Sequence, residues 1–399
     1  MRVHSLLLRI VVIVAALAGF IWLVVHPSYA QQISPPPMTA KAWVIVDVTS
    51  DQVLADHNLT QRIEPASLTK IMTAYLVFDA LRGKRIAMEQ LVIPSASVRE
   101  IGNDESRTFV EMGKPISVRD LVYGMIIQSG NDSSIALAEL IGGSQPSFVD
   151  LMNRAAQRMG LQDTHYANVD GLPDSQHYTT VGDLAVLSIH LIRDFPEYYG
   201  IFGEKGFTYN KIHQANRNRL LYLDSTVDGL KTGHTKGAGY CLVSTALRPL
   251  PGRDGLARRL LSVVVGEPTE GARVQDSLAA LNYGYQNFDT LRIYVANQVL
   301  TERRVWKGEG GGKFGLNRDE FVTVPRGEGR KIESLLELRE PLVAPVFVGD
   351  VVGRAKVMID GRQLAEFPVV ALDDVPQASF VVRAWDALRL FAISAWGRT

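Results

Sequence analysis

Apolar and polar positions follow three different rhythms along this chain. The first is an unbroken apolar run from Ile10 to Val25, preceded by Arg2, His4 and Arg9 and closing near Pro27-Ser28-Tyr29-Ala30. A basic start, an apolar stretch and small residues at Ser28 and Ala30 predict a secretory signal over residues 1–30, cleaved after Ala30. An uncleaved anchor is the alternative, because the run is intermediate in length between signal and membrane span. Either way the rest of the chain is expected outside the cytoplasm. Residues 31–41, with Pro35-Pro36-Pro37, have the composition of a linker.

The second rhythm mixes strand and helix. Ala42 to Asp47 is an apolar strand-like run, with a second short strand around Val53-Leu54. The spacing of Ile71, Ala74, Tyr75, Phe78 and Leu81 predicts a helix over 65–81, opened by Pro65 and stopped by Gly83. Similar patterns predict helices over 118–127, 133–140, 148–159 and 181–192. After Asp228 come strands over 239–246 and 259–265, then a helix over 277–288. Together these predict one α/β (α+β) domain over 42–290.

The third rhythm is short alternation broken by turns. Val322-Thr323-Val324 and Val357-Met358-Ile359 are examples, and Asp360-Gly361 is a hairpin-turn signal. Residues 291–379 are therefore expected to form a small all-β sandwich domain. The tail, 380–399, returns to helical spacing. Val381, Ala384, Trp385, Leu388, Phe391, Ala392, Ala395 and Trp396 fall on one side of a helical wheel. Arg383, Asp386, Arg389, Ser394 and Arg398 fall on the other, with Leu390 and Ile393 between. Charges at Arg383, Asp386 and Arg389 make a spanning helix costly. A helix lying in a membrane interface is expected, with packing on the β domain as the alternative.

Charge adds little. The chain has 42 Lys plus Arg against 42 Asp plus Glu, which gives no field to attract nucleic acid. Cys241 is the only cysteine, so no internal disulfide is possible. The eight histidines show no metal-ligand spacing, so no metal and no cofactor is expected. Gly308 to Lys313 resembles a phosphate loop only faintly, lacking Ser or Thr after the lysine.

Candidate chemistry lies in three short motifs. Ser67-Leu68-Thr69-Lys70 places a serine at a helix start, where backbone N–H groups favour developing negative charge. The lysine follows one turn later on the same face. A neutral Lys70 could take the serine's proton, and burial or a neighbouring cation would keep it neutral. Ser129-Gly130-Asn131 falls in a turn between two helical runs. Lys231-Thr232-Gly233 precedes an apolar strand. Singly, each suits an ordinary cap, loop or surface strand. In this order they resemble the motif set of penicillin-binding proteins and class A β-lactamases, with Ser-Gly-Asn here in place of Ser-Asp-Asn.

With these motifs the sequence resembles the low-molecular-mass penicillin-binding proteins, the serine D-alanyl-D-alanine carboxypeptidases. The likeness is densest around 65–73, 128–132, 216–218 and 227–240. It implies a β-lactamase-like catalytic domain, a small β domain and a C-terminal amphipathic anchor. It further implies Ser67 as the acylated nucleophile, Lys70 as its base and Ser129 as the proton relay to the leaving D-alanine. Asn131 would hold the substrate peptide and Lys231 and Thr232 its terminal carboxylate, with Gly233, His234 and Arg273 also substrate-binding. The oxyanion hole would come from the N–H groups of Ser67 and His234. Arg273 and Arg217 match family arginines near the site. The implied partners are peptidoglycan stem peptides, β-lactams as covalent inhibitors, and a membrane surface on the periplasmic side of the inner membrane.

A serine β-lactamase is the nearest rival. Class A enzymes deacylate through a loop glutamate, and no Glu-x-x-Leu-Asn pattern lies between Asn131 and Lys231. A catalytically inactive peptidoglycan-binding protein is the second rival, disfavoured because it needs none of Ser67, Lys70, Ser129 and Lys231. Transpeptidation is a third outcome of the same acyl-enzyme.

Overall fold

The computed structural model describes residues 33–396 except 103, 251, 253 and 254; the expected signal sequence lies outside the described residues. The chain divides into two compact units, Met1–Gln286 and Asn287–Thr399.

In the first unit, β1 (Ala42–Asp47) is buried at every position. It is interior to a five-stranded antiparallel sheet, between β2 (Gln52–His57) and β5 (Ala257–Glu267). The sheet continues through β4 (Gly239–Pro249) to β3 (Val227–Thr235), giving the order β2-β1-β5-β4-β3. This leaves β3, which carries Lys231-Thr232-Gly233, as an edge strand.

Helix α1 (Lys70–Arg82) differs from its expected one-faced pattern, since Lys70, Ile71, Met72, Thr73, Ala74, Leu76, Val77, Phe78, Ala80 and Leu81 are all buried. A helix apolar nearly all round belongs inside the core rather than on its surface. It is entered through a 3-10 turn, Ala66–Thr69, with Ala66 in the left-handed region at φ 49°. Ser67 thus lies one turn before the α-helix proper.

The expected helix over 118–127 is α2 (Val118–Tyr123) followed by one wider π turn, Gly124–Gln128. That turn ends at Ser129, whose φ of 66° redirects the chain into α3 (Asn131–Gly142). Inserted π turns of this kind recur at functional sites. Helices α4 (Gln145–Arg158) and α5 (Val181–Asp194) follow the expected spans closely. Helix α6 (Glu270–Asn287) starts seven residues earlier than the apolar spacing indicated, because Thr269 caps it by accepting from the Ala272 N–H at 3.0 Å. The added turns carry Arg273. A hairpin, Gly206–Tyr209 with Ile212–Ala215, was not expected. Its turn uses Asn210 and Lys211, both at positive φ, where glycine would have been the legible signal.

The second unit is all-β apart from a short 3-10 turn and its last helix. Strands β6 (Phe288–Tyr294) and β9 (Glu320–Pro325) form one two-stranded sheet. A five-stranded sheet joins β7 (Val299–Arg304), β8 (Gly311–Gly315), β12 (Arg362–Ala371), β11 (Val351–Ile359) and β10 (Ile332–Leu338) in that order. Tyr294 and Phe367 meet edge-on at 6.2 Å between the two sheets. Asp360 and Gly361, both at positive φ, make the expected hairpin turn between β11 and β12.

Helix α7 (Phe380–Trp396) corrects one detail of the tail. Asp386 does not face solvent with the arginines. It is 2 % exposed, accepting from the Arg304 guanidinium at 2.7 Å and the Lys307 N–H at 2.7 Å. The helix therefore packs on the β domain by its polar side, while Val381, Trp385, Leu388 and Phe391 are 76, 58, 63 and 73 % exposed. No helix among the described residues is long and apolar enough to cross a membrane.

Candidate active site

The three motifs converge on one pocket of about 1400 Å³ in the first unit. Its lining includes Ser67, Ser129, Asn131, Thr232, Gly233, His234 and Arg273, contributed by four local devices. Ser67 comes from the 3-10 turn. Ser129 and Asn131 come from the sharp link between α2 and α3. Thr232, Gly233 and His234 come from the edge strand β3, and Arg273 from the first turns of α6.

Close approach of β3 to the serine turn depends on Gly233. A Cβ there would lie 3.2 Å from Leu68 Cγ and 3.3 Å from the Ala66 Cβ and Leu68 N atoms. Gly171 presses on the same turn from the opposite loop, where a Cβ would sit 1.8 Å from the Ala66 carbonyl oxygen.

Each of the two serines that line the pocket is paired with a buried lysine. Lys70, 1 % exposed, donates from Nζ to Ser67 Oγ at 3.0 Å, to Asn131 Oδ1 at 2.7 Å and to the Asp170 carbonyl at 2.6 Å. Lys231, 2 % exposed, donates to Ser129 Oγ at 2.9 Å and to its neighbour's carbonyl, Thr232 O, at 3.0 Å.

Burial, opposed chiefly by the Asp170 carboxylate, draws the Lys70 pKa down to about 8. Lys231 falls well below the usual lysine range, first through burial and then through Lys70, Arg217 and Arg273. The two lysines differ in the acceptors around them. Lys70 has the acceptors an ammonium needs and Lys231 has fewer. Two amines this close share their protons as a pair. A carboxylate arriving at Lys231 would favour charge there and disfavour it on Lys70.

Asn131 is held in turn. Its Nδ2 donates to Glu105 Oε2 at 2.6 Å, which fixes the amide with its oxygen toward Lys70. Asp132 braces the facing loop, accepting from the Thr108 N–H at 2.8 Å and the Val110 N–H at 2.9 Å.

Arg273 is 4 % exposed, bonds Glu270 Oε1 at 3.1 Å and leaves a buried Nε without a partner among the described residues. Arg217 also lines the pocket. It stands between Asn216 and Asn218, whose side chains turn inward to backbone carbonyls, Asn216 to Glu204 at 2.8 Å and Asn218 to Gly229 at 3.0 Å. Buried Lys231 and these arginines bring cationic charge to the pocket, whose lining also carries Asp104, Glu105, Asp170 and Glu270. Cys241 lies behind β3, opposite Gly233, and burial pushes its thiol up to about 11. It is an inert apolar filler. No cluster of potential metal ligands occurs among the described residues.

Sequence reasoning missed Glu105 and Asp170. Glu105 and Asp170 act through a contact with a motif residue, and nothing local in the sequence marks such a contact. Asp170-Gly171 offered only a turn signal.

Comparison with known proteins gives consistent results. A D-alanyl-D-alanine carboxypeptidase family model matches residues 29–269, and a model of the penicillin-binding protein 5 C-terminal domain matches 288–377. The chain is 39 % identical over 363 residues to D-alanyl-D-alanine carboxypeptidase DacA of Haemophilus influenzae, covering 90 % of this chain and 91 % of that one. Penicillin-binding protein 5 of Haemophilus influenzae superposes with a TM-score of 0.81 at 39 % identity, covering 86 % of this chain and all (100 %) of that one. Penicillin-binding protein D2 of Listeria monocytogenes, solved in a cefotaxime-bound form, has a TM-score of 0.56 at 27 % identity, covering 63 % of this chain and 98 % of that one.

Proposed function

The chain belongs to the serine D-alanyl-D-alanine carboxypeptidase family, and on that premise we propose how its pocket removes the terminal D-alanine from peptidoglycan pentapeptide stems. The observation that carries the reading is Lys70 Nζ at 3.0 Å from Ser67 Oγ in a buried position.

The substrate's terminal carboxylate is placed against Lys231, Thr232 and the arginines, as a charge-assisted contact. Asn131 holds the peptide, with Gly233 leaving room for it along β3. Neutral Lys70 takes the Ser67 proton, and Ser67 Oγ attacks the carbonyl carbon of the penultimate D-alanine. The N–H groups of Ser67 and His234 bind the resulting oxyanion. Ser129, bonded to Lys231, passes a proton to the departing amine, so D-alanine leaves and an ester remains on Ser67. Water hydrolyses that ester, which returns the shortened peptide and the free serine.

A β-lactam follows the first half of this path. Its leaving amine stays tethered to the acyl group, and no Glu-x-x-Leu-Asn base is present to clear the ester. The penicilloyl-enzyme therefore persists, which makes this protein a penicillin target and separates it from a β-lactamase.

Location belongs to the same proposal. A cleaved signal over 1–30 exports the chain, and the exposed apolar face of α7 lies on the periplasmic surface of the inner membrane. What supports this is the division of that helix, docked through Asp386 and open at Val381, Trp385, Leu388 and Phe391.

The direct test of the activity is incubation of the purified protein with diacetyl-L-Lys-D-Ala-D-Ala. One equivalent of D-alanine should be released per peptide, and none by Ser67→Ala. Intact peptide after prolonged incubation with the parent protein would favour the inactive binding reading.

A further inference from the structure

His177 is buried, 3 % exposed, and lies outside all three motifs. Its two ring nitrogens are both engaged. Nδ1 lies 3.1 Å from the Ala167 N and 3.3 Å from the Asn168 N, and both of those donate to it. An Nδ1 that accepts leaves the hydrogen on Nε2. That Nε2–H meets Thr69 Oγ1 at 2.8 Å, and the Thr69 hydroxyl in turn donates to the Ala66 carbonyl at 2.8 Å. Burial draws the His177 pKa down to about 4, so the ring stays neutral and keeps this tautomer through the working range. The Tyr166 ring meets it edge-on at 5.7 Å, which fixes its plane.

The Ala66 carbonyl and the Ser67 N–H belong to one planar trans peptide, so they point in opposite directions. Anchoring the oxygen on one side aims the hydrogen on the other. The peptide needs that anchor, because Ala66 sits at φ 49°, a region that L-residues other than Asn or Asp rarely occupy. Gly171 closes over the same peptide at φ 95°, with room for no side chain, and Asn168 ties the two devices together. The Asn168 Oδ1 accepts from the Gly171 N–H at 2.8 Å while its own N–H points at His177.

We propose that His177, acting through Thr69, is the positioning residue that aims the Ser67 N–H of the oxyanion hole. This rests on the reading of Ser67 as nucleophile and oxyanion donor given above. Thr69 is therefore more than a spacer in Ser67-Leu68-Thr69-Lys70. Its hydroxyl relays the orientation of a loop some hundred residues away into the geometry of the serine turn.

Stopped-flow acylation of the full-length protein by benzylpenicillin separates the binding constant from the acylation rate constant. His177→Leu and Thr69→Val should each lower the rate constant about ten- to hundredfold with little change in binding, the scale of a misaimed oxyanion donor. His177→Gln, whose amide can still donate to Thr69 and accept from the loop, should recover to within about threefold of the parent. The double variant His177→Leu/Thr69→Val should be no slower than the worse single one, because one relay is lost once. Should the leucine variant fail to fold, Thr69→Ser against Thr69→Ala makes the same comparison. Parental rate constants in His177→Leu, a glutamine variant no better than leucine, or losses that multiply in the double variant would each overturn the proposal. Mass analysis of the same samples keeps two failures apart. A Ser67 adduct with unaltered variant rates removes His177 from the account, whereas no adduct on the parent removes the serine reading beneath it.

Discussion

Lys70 meets three oxygens, enough to satisfy an ammonium, and burial still draws its pKa down to about 8. That balance gives the base its pH dependence. A lysine is a base only when neutral, so acylation should climb with pH through a limb near 8 and level off above it. The same shift lowers Lys70 below its unfolded value of 10.5, so the unfolded chain holds more protons between the two values. Folding stability from this group is therefore smaller at neutral pH and grows as pH rises from about 8 towards 10.5. Lys70→Arg keeps a cation that stays protonated at any usable pH, and it should lose about a thousandfold or more in acylation rate. Rates of acylation against pH for both proteins check this, and near-parental acylation by the arginine variant would mean that another group is the base. At this scale the sequence was legible where chemistry demands a fixed spacing. Ser67 with Lys70 and Lys231 with Thr232 are in hydrogen-bond contact, and Ser129 and Asn131 flank one tight link, because each pair is close along the chain. Their mutual contacts, such as Lys231 with Ser129, and the braces Glu105, Asp170 and His177 come from distant loops, and no local pattern records those.

Among the elements, periodicity located cores better than it located ends. The run at Ala42–Asp47 is a fully buried strand interior to its sheet, and its bounds came out unaltered. Helix α6 was found too short because its first turns carry Glu270, Gly271 and Arg273, and a Thr269 cap rather than an apolar stripe sets its start. The π turn before Ser129 was invisible, since one extra residue in a turn leaves no mark on apolar spacing. Helix α7 has two unlike sides. Its polar side docks through Asp386, and its apolar side remains open. Deleting residues 380–399 should shift the enzyme from the membrane pellet to the soluble fraction while D-alanine release from a small peptide persists. A truncated protein that still sediments with membranes, after signal cleavage is confirmed at its N-terminus, would leave α7 as a packing element alone.

At the scale of the whole molecule, the apolar rhythm changes near Leu291, and the chain divides into compact units between Gln286 and Asn287. The difference of a few residues arises because α6 runs straight into β6, so no turn residue announces the boundary. What the division shows physically is that the whole pocket is built by the first unit, since every residue lining it precedes Asn287. Catalysis should then depend on the convergence of the serine turn, the α2–α3 link and β3 within that unit. Its most direct consequence is a single covalent ester at Ser67. Intact-mass spectrometry after incubation with benzylpenicillin should show one penicilloyl adduct per chain, mapped by digestion to the peptide containing Ser67, and absent from Ser67→Ala. An adduct of the same mass on the Ser67→Ala protein, or one mapping to Ser129, would contradict the account.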